Sequence, residues 1–467
     1  MSIGVDWPST LSINAYLGED KRAAAGPVAE RARAWVLRNA PPEVRSFLKA
    51  PTAANPADWR DARVGWGLVL PDGPELTDSQ RANGSDAPEP IQALLRERKG
   101  APILRYRAGS QHRFRLLRNY VAEMDVSISG SPDGTEPGAL PRYLLIYGTP
   151  EEVPWELQYI LNGRCCVGRL HLFGPALENY VNALLNDWKK SELQTNHSVV
   201  WAVDQGDTDI TKLMRDAIAE KVQRRLLSDP QIGPSVATFL DGANQATASG
   251  LVSALAVQKP GLIVTTSHGQ TYPLDNPEML SGALGLPVDQ NFASLQASDL
   301  QSQWQPDGGI WYAHACCSAG SDSQTLFTGV VDEGSEVDRV LKGVAKLGAK
   351  VAPLPTALLG AKKPLRAFIG HVEPTFDLTL RESSTGQILT AALEKALYDG
   401  LYQPWPVGLA FRDAFAKLAS LYVSYESNRR AFNGGGNTRG AMLKDLLVSR
   451  DVQSMVILGD PTAMLPV

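Results

Sequence analysis

Apolar residues in this chain gather into short blocks, and the blocks alternate with segments of helical spacing. From Tyr143 the order is YLLIYG, a proline-marked turn, WELQYILN, VGRLHLF and a long helical stretch through Trp188. From Ser198 it is SVVWAVD, ITKLMRDAIAEKVQRRL, VATFLDG, TASGLVSALA and LIVTTSHG. GGIWYAHACCSAG follows, then the helical DRVLKGVAKLGA, the apolar LRAFIGHVEP, helices between Leu389 and Val448, and a last strand from Met455. Runs of four to eight β-branched and aromatic residues read as buried strands. Their alternation with helical segments implies parallel pairing through right-handed crossovers. The expected fold class is therefore α/β, a parallel sheet flanked by helices.

Ahead of this region, residues 1–60 carry two helical stretches, AERARAWVLRNA and PPEVRSFLKA, between Pro- and Ala-rich breaks, and VGWGLVL from Val64 reads as a strand. Gly and Pro punctuate residues 81–91 and 130–141, so SGSPDGTEPGALP is an exposed loop. The expected organisation is an N-terminal helical extension at 1–60, an α/β module at 61–194 and a second at 195–467. Residues 1–140 carry no chemistry that sequence alone identifies.

Two blocks end on reactive side chains. LIVTTSHG stops at His268, and GGIWYAHACCSAG contains Cys316 and Cys317 one strand-helix-strand excursion later. In open α/β sheets, active groups collect at the carboxyl ends of strands. A thiolate is the nucleophilic form of cysteine, and an imidazole within reach takes its proton and later delivers one to a leaving amine. Gly269 and the small residues after the cysteines allow close backbone approach to a substrate carbonyl, with N–H groups aimed at a developing oxyanion. The pair points to a Cys/His nucleophilic enzyme.

The pattern of an apolar block ending in His-Gly, then an apolar block ending in Ala-Cys, resembles the caspase-like clan of cysteine peptidases. Residues 262 to 269 and 310 to 321 carry it, with Ala315-Cys316 as the Ala-Cys pair and Ser318 at a position where the clan often has Ser or Thr. Ala319 departs from the usual glycine, and the doubled cysteine keeps Cys317 as a rival nucleophile. SMVILGDPTAMLPV, with Gly459, Asp460 and Pro461, and the segments YLLIYGTPEEVPW and CVGRLHLFGPALENYVNALLNDW are similar to parts of gingipain-like and CHAT-domain members. The resemblance spans roughly residues 140 to 467. It implies a caspase-like (caspase-hemoglobinase) catalytic sheet at 195–467, preceded by a gingipain-like non-catalytic module.

The activity the resemblance implies is that of an intracellular cysteine endopeptidase, with Cys316 as nucleophile, His268 as base, and the backbone of Gly269 and Cys316 at the oxyanion. It implies a specific protein substrate, a regulatory protein partner, and a role in bacterial defence or programmed cell death. In the clan the loop after the first catalytic strand helps build the specificity pocket, which nominates Asp207 and Asp204 here, in an acidic loop that also holds Asp209. A carboxylate there favours Lys or Arg. His371 and Glu373, at the end of another strand, are further pocket candidates, while His314 reads as a packed residue. The alternatives are a catalytically silent caspase-like scaffold or regulatory binding protein, and a hydrolase or transferase acting on a non-peptide acyl group.

Composition narrows this picture. The chain has 467 residues, 43% of them hydrophobic, enough for more than one core. A net charge of −5 with 20% charged residues gives no broad basic footprint, so nucleic acid is not expected as a partner. The arginines from Arg105 to Arg118 read as a solvated face. Four cysteines in two adjacent pairs make neither a disulfide framework nor a CxxC metal site, so no metal and no cofactor are expected. No run approaches the roughly 18 apolar residues of a membrane helix, and the first residues do not read as a secretory signal. The expected location is the cytoplasm. The run FNGGGNTRG at 432–440 lacks Walker spacing and reads as a loop between helices.

Overall fold

A computed structural model describes residues 53–232, 237–242, 245–382 and 385–466, together with the backbone of 10–17 and 22–27. The chain separates into two units, Met1–Ala54 and Asn55–Val467. In the first, β1 (Thr10–Leu17) and β2 (Arg22–Pro27) pair antiparallel. Strands therefore stand in a region expected to be helical, and the reason is visible in TLSINAYL, whose Leu11, Ile13, Ala15 and Leu17 recur with period two. The two helical stretches expected at 29–50 lie outside the described residues.

The second unit is built on one 12-stranded sheet. Its strands are β3 (Trp66–Pro71), β4 (Ile103–Tyr106), β5 (Leu116–Asn119), β6 (Met124–Ser127), β7 (Tyr143–Tyr147), β8 (Cys166–Leu170), β9 (Gln194–Ala202), β10 (Ala237–Asp241), β11 (Pro260–Thr266), β14 (Ile310–His314), β17 (Ala367–His371) and β18 (Met455–Gly459). Two short pairs sit outside it, β12 (His268–Gly269) with β13 (Pro287–Val288), and β15 (Gly320–Ser321) with β16 (Lys350–Val351). The spatial order is β10-β9-β11-β14-β17-β18-β8-β7-β3-β4-β5-β6. Neighbours are parallel from β10 to β17 and again from β18 to β4, and antiparallel at β17/β18, β4/β5 and β5/β6. The fold is α/β, with a large, mostly parallel sheet flanked by helices.

The modules expected at 61–194 and 195–467 thus share one sheet, joined where Ile457 and Leu458 of β18 meet Gly168 and Arg169 of β8. Both faces are covered, which is why β7, β8, β11, β14, β17 and β18 are buried along their whole length. Alternate residues serve opposite faces. Val200, Val264, Tyr312 and Ile369 pack against Met214, Ile218, Leu397 and Phe411 on one side. In the first half, Val69, Leu144, Ile146 and Val167 pack with Leu157 and Leu161.

Strands β4, β5 and β6 have no counterpart in the sequence reading. They are four residues long and carry charges, as in ILRY, LLRN and MDVS, so no apolar run marks them. The arginine cluster also needs correcting at one end. Arg105 is fully buried, bonded to both Asp86 oxygens and to the carbonyls of Pro71, Gln80 and Arg81, and so is not part of a solvated face. The glycine run at 434–438 does connect two packed helices, Arg412–Asn433 and Arg439–Gln453. Among the described residues no helix is long and apolar enough to cross a membrane.

Candidate functional site

Three adjacent parallel strands, β9, β11 and β14, bring their carboxyl ends to one place. Thr266 stands opposite both Ala202 and His314, and Trp311 donates its indole N–H to Thr265 Oγ1 at 2.9 Å. Beyond Thr266 the chain leaves the large sheet, with the Ser267 N–H reaching the His314 carbonyl at 3.3 Å, and enters the short pair that carries His268 and Gly269.

Gly269 presses directly on the cysteine turn. A Cβ on residue 269 would lie 1.9 Å from the Cys316 carbonyl oxygen, so only glycine fits. Gly285, at φ +68°, comes as close to the next peptide, where a Cβ would lie 2.1 Å from the Cys317 carbonyl oxygen. The His-Gly and Cys-Cys motifs are therefore in backbone contact.

β14 ends at His314, so the two cysteines sit in a turn beyond the strand. Cys317 has φ 56° and is fully buried among Leu280, Leu284 and Val344. Burial pushes its thiol well above the ordinary range. Cys316 is only partly buried, and its Sγ accepts the Thr375 N–H at 3.3 Å, with the Thr375 hydroxyl at 3.9 Å. Burial raises the Cys316 thiol, and the Thr375 N–H and hydroxyl pull in the other direction without cancelling it. At neutral pH Cys316 is a thiol, so it needs a base to act as a nucleophile. Among the described residues the Cys316 N–H reaches no other residue's carbonyl, and it faces the residue's own sulfur, whose acidity it helps to hold down.

His268 is about one-third exposed, and its Nε2 lies 3.0 Å from Asp209 Oδ2. Asp209 caps the helix Ile210–Met214, its Oδ1 accepting the Thr211 N–H at 2.8 Å and the Thr211 hydroxyl at 2.6 Å. Burial opposes its ionisation, but the bonds from Thr211 and His268 outweigh that and hold the carboxyl below its usual range. An ionised Asp209 can only accept, which assigns the proton to Nε2 and leaves Nδ1 as the basic nitrogen of His268.

Asp209 is the member of the site that sequence reasoning undervalued, since it counted only as one acid of the loop. The available signal was its place immediately before Ile-Thr at a helix start, which fixes the carboxylate by capping. Asp204 and Asp207 lie earlier in the same loop. Asp204 accepts the Gly206 N–H at 2.9 Å, and the two carboxylates stand 3.6 and 3.7 Å from Lys212 Nζ, with the Asp207 side chain 91% exposed. Beside Asp209 opens a groove of about 340 Å³ lined by Asp207, Asp216 and Asp377 as well as Lys212 and Arg381.

His371 and Glu373 are buried. The His371 ring stands edge-on to His314 at 4.8 Å, with Nδ1 3.4 Å from Ser454 Oγ. Burial keeps both histidines neutral, His314 falling to about 4 and His371 well below the usual value. Glu373 accepts from the Thr325 hydroxyl at 3.0 Å and the Leu326 N–H at 3.2 Å, and its carbonyl accepts the Cys317 N–H at 3.2 Å. Burial raises its carboxyl to about 7. Ser318 ties β14 to β17, donating to the Ala313 carbonyl at 3.1 Å and accepting the His371 N–H at 3.0 Å. Among the described residues no group of three or more His, Cys, Asp or Glu side chains is placed to hold a metal ion.

No family model and no curated protein matches the chain. Among solved structures it is similar to a chain of the Saccharomyces cerevisiae separase–securin complex, at 12% identity and a TM-score of 0.34. The match covers 68% of this chain and 15% of that one. At that level of likeness no residue role carries across.

Proposed function

We propose that this chain is a cysteine endopeptidase of caspase-like type, with Cys316 as nucleophile, His268 as general base and then acid, and Asp209 as the carboxylate that orients His268. The observation that carries the reading is the backbone contact between Gly269 and Cys316, beside an imidazole already held by a carboxylate. A partly buried thiol, an imidazole oriented by a carboxylate on the adjoining turn and the backbone N–H of Cys316 are the parts a thiol-acyl transfer site needs.

In this mechanism the Cys316 thiol gives its proton to His268 Nδ1 as sulfur attacks the scissile carbonyl. The Thr375 N–H steadies the developing negative charge on sulfur. The oxyanion of the tetrahedral adduct takes the Cys316 N–H, with Gly269 leaving room for the substrate carbonyl. His268 then protonates the leaving amine, and the C–N bond breaks to leave a thioester on Cys316. Water attacks the thioester, giving one proton to His268, and the carboxylic acid product leaves as the thiol is restored. Asp209 stabilises the imidazolium at each stage.

The groove beside Asp209 favours a basic side chain before the scissile bond, because four carboxylates face it against two cations. The first α/β module, sharing the sheet, would serve as a non-catalytic, gingipain-like partner of the catalytic part. The wider setting proposed is a cytoplasmic, regulated enzyme acting on a specific protein, as the motif resemblance implies. Screening the purified protein against a peptide library, beside Cys316→Ala, tests this. Cleavage lost in the variant supports it. No turnover of any peptide, with a peptide electrophile failing to label Cys316, would favour the silent scaffold.

A further inference from the structure

The segment that places the Thr375 N–H on the Cys316 sulfur does not stand by itself. Residues 372–379 leave β17 and are fastened at both ends to the last turn of the helix Arg439–Gln453. At one end the Val372 N–H donates to the Ser454 carbonyl at 2.9 Å. At the other, the Thr379 hydroxyl stands 2.5 Å from Asp451 Oδ2 and 3.0 Å from the Phe376 carbonyl, bridging the carboxyl to the loop, whose Phe376 N–H also faces the carboxyl. Between these anchors lie the two contacts with the cysteine turn, Thr375 N–H to Sγ and Glu373 carbonyl to the Cys317 N–H.

Asp451 is fully buried, and its other oxygen, Oδ1, makes no hydrogen bond among the described residues. It lines a cavity of about 50 Å³ together with His314, His371, Thr379 and Lys417. Burying a carboxylate is costly unless it is hydrogen-bonded, paired or protonated. The mechanism above makes no use of it. We infer that Asp451 is a positioning residue for the nucleophile: by holding Phe376 and Thr379 it keeps the Thr375 N–H against Cys316 Sγ. This rests on the reading of Cys316 as the nucleophile and adds the element that sets its acidity.

Two effects of Asp451 on Cys316 have opposite sign, and that makes the inference testable. The negative charge of Asp451 acts through space to raise the Cys316 thiol, whereas the contact it maintains from Thr375 lowers it. Positioning and field are thereby distinguishable. The charged and titratable groups around Asp451 are Asp377 on the loop, Lys417 on the helix Arg412–Asn433, and His314, His371 and Tyr312 on the sheet. All are kept in the variants below.

The experiment is iodoacetamide alkylation of Cys316 across pH in the full chain, followed by peptide mass spectrometry so that the buried Cys165, Cys166 and Cys317 are read separately. Thr379→Val removes the donor and leaves the Asp451 charge, and the alkylation midpoint is expected to rise by at least about half a pH unit as the Thr375 contact slackens. Asp451→Ala is expected to raise the midpoint too, although it removes a negative charge. Asp451→Asn, which keeps an acceptor oxygen, is expected to return the midpoint to the wild-type value or below. An unmoved midpoint in Thr379→Val, or a fall of equal size in both Asp451 variants, overturns the inference, since Asp451 would then act only by its field. If Asp451→Ala does not fold, Asp451→Leu takes its place, because Thr379→Val also removes the bond to the Phe376 carbonyl. Alkylation needs no peptide substrate, so a protein that cleaves nothing would sink the peptidase reading and leave this measurement valid.

Discussion

Cys316 and Cys317 are chemically identical neighbours that the turn separates into different environments. One sulfur, on a partly buried residue, meets a backbone N–H, and the other is packed among leucines at a positive φ. Cys316→Ala is therefore expected to abolish both turnover and labelling by a peptide-based electrophile. Cys317→Ala should keep both while losing about 1 kcal/mol of stability for the emptied space. Labelling retained in Cys316→Ala and lost in Cys317→Ala would move the nucleophile by one residue. For His268 the expectation concerns its partner. Asp209→Asn keeps the helix cap but no longer demands a proton on Nε2, so kcat should fall on the order of a hundredfold or more with KM nearly unchanged. A fall confined to KM would place Asp209 in substrate binding. The candidate base and nucleophile were legible in the sequence because each closes an apolar run. Asp209 was hidden because its partnership depends on β9 lying beside β11, a fact of topology that no local pattern carries.

At the scale of elements, the site depends on backbones that approach more closely than any side chain permits. Gly269→Ala would drive a methyl group into the Cys316 carbonyl, and the atoms it meets are backbone, which cannot swing aside as the end of a flexible side chain does. The expected result is a lower urea midpoint, by about 2–4 kcal/mol in free energy, with altered alkylation of Cys316. The loop after β17 carries a second signature. Glu373 titrates at about 7 in the folded chain against an ordinary value of 4.5, because burial penalises the carboxylate. Between those values the folded state holds a proton that the unfolded chain has released. Stability from this group is thus complete below pH 4.5 and is lost as pH rises through 7. Asp451, raised to about 7, and Asp322, raised to about 6, act with the same sign. Glu373→Gln keeps an acceptor for the Leu326 N–H, so its unfolding free energy should drop less between pH 4 and pH 8 than that of the wild type, by about 2–3 kcal/mol. Parallel pH profiles for the two proteins would refute this. Buried strands such as IWYAH and MVILG were readable from their apolar runs, whereas LLRN and MDVS were not, since they take their structure from pairing with neighbours.

At the scale of the whole molecule, the Gly459-Asp460-Pro461 ending fastens the two halves of the sheet together. Asp460 is completely buried, and it takes the Trp66 indole N–H at 3.2 Å, the Thr462 N–H at 2.8 Å and the Thr462 hydroxyl. Its own N–H donates to the Tyr180 hydroxyl at 2.7 Å. Arg98 lies 3.3 Å from the carboxylate, with its guanidinium 4.3 Å from the Trp59 ring and 4.4 Å from that of Trp66. One side chain after the last strand thus touches the first strand of the large sheet, and its backbone touches a helix between them in sequence. This explains why a short motif near the end of the chain bears on the packing of residues near its beginning. Burial lowers the basicity of Arg98, so the cation is tolerated mainly because Asp460 and the two indoles surround it. Asp460→Ala would leave a buried guanidinium without its counter-ion and is expected to cost about 3–5 kcal/mol. Asp460→Asn, which preserves an acceptor for Trp66 and Thr462, is expected to cost less, about 1–3 kcal/mol. Urea unfolding followed by tryptophan fluorescence gives both values. If Asp460 instead only caps its own turn, Ala and Asn would both stay within about 1 kcal/mol of wild type, and the two halves of the sheet would owe their union to the β18/β8 pairing alone.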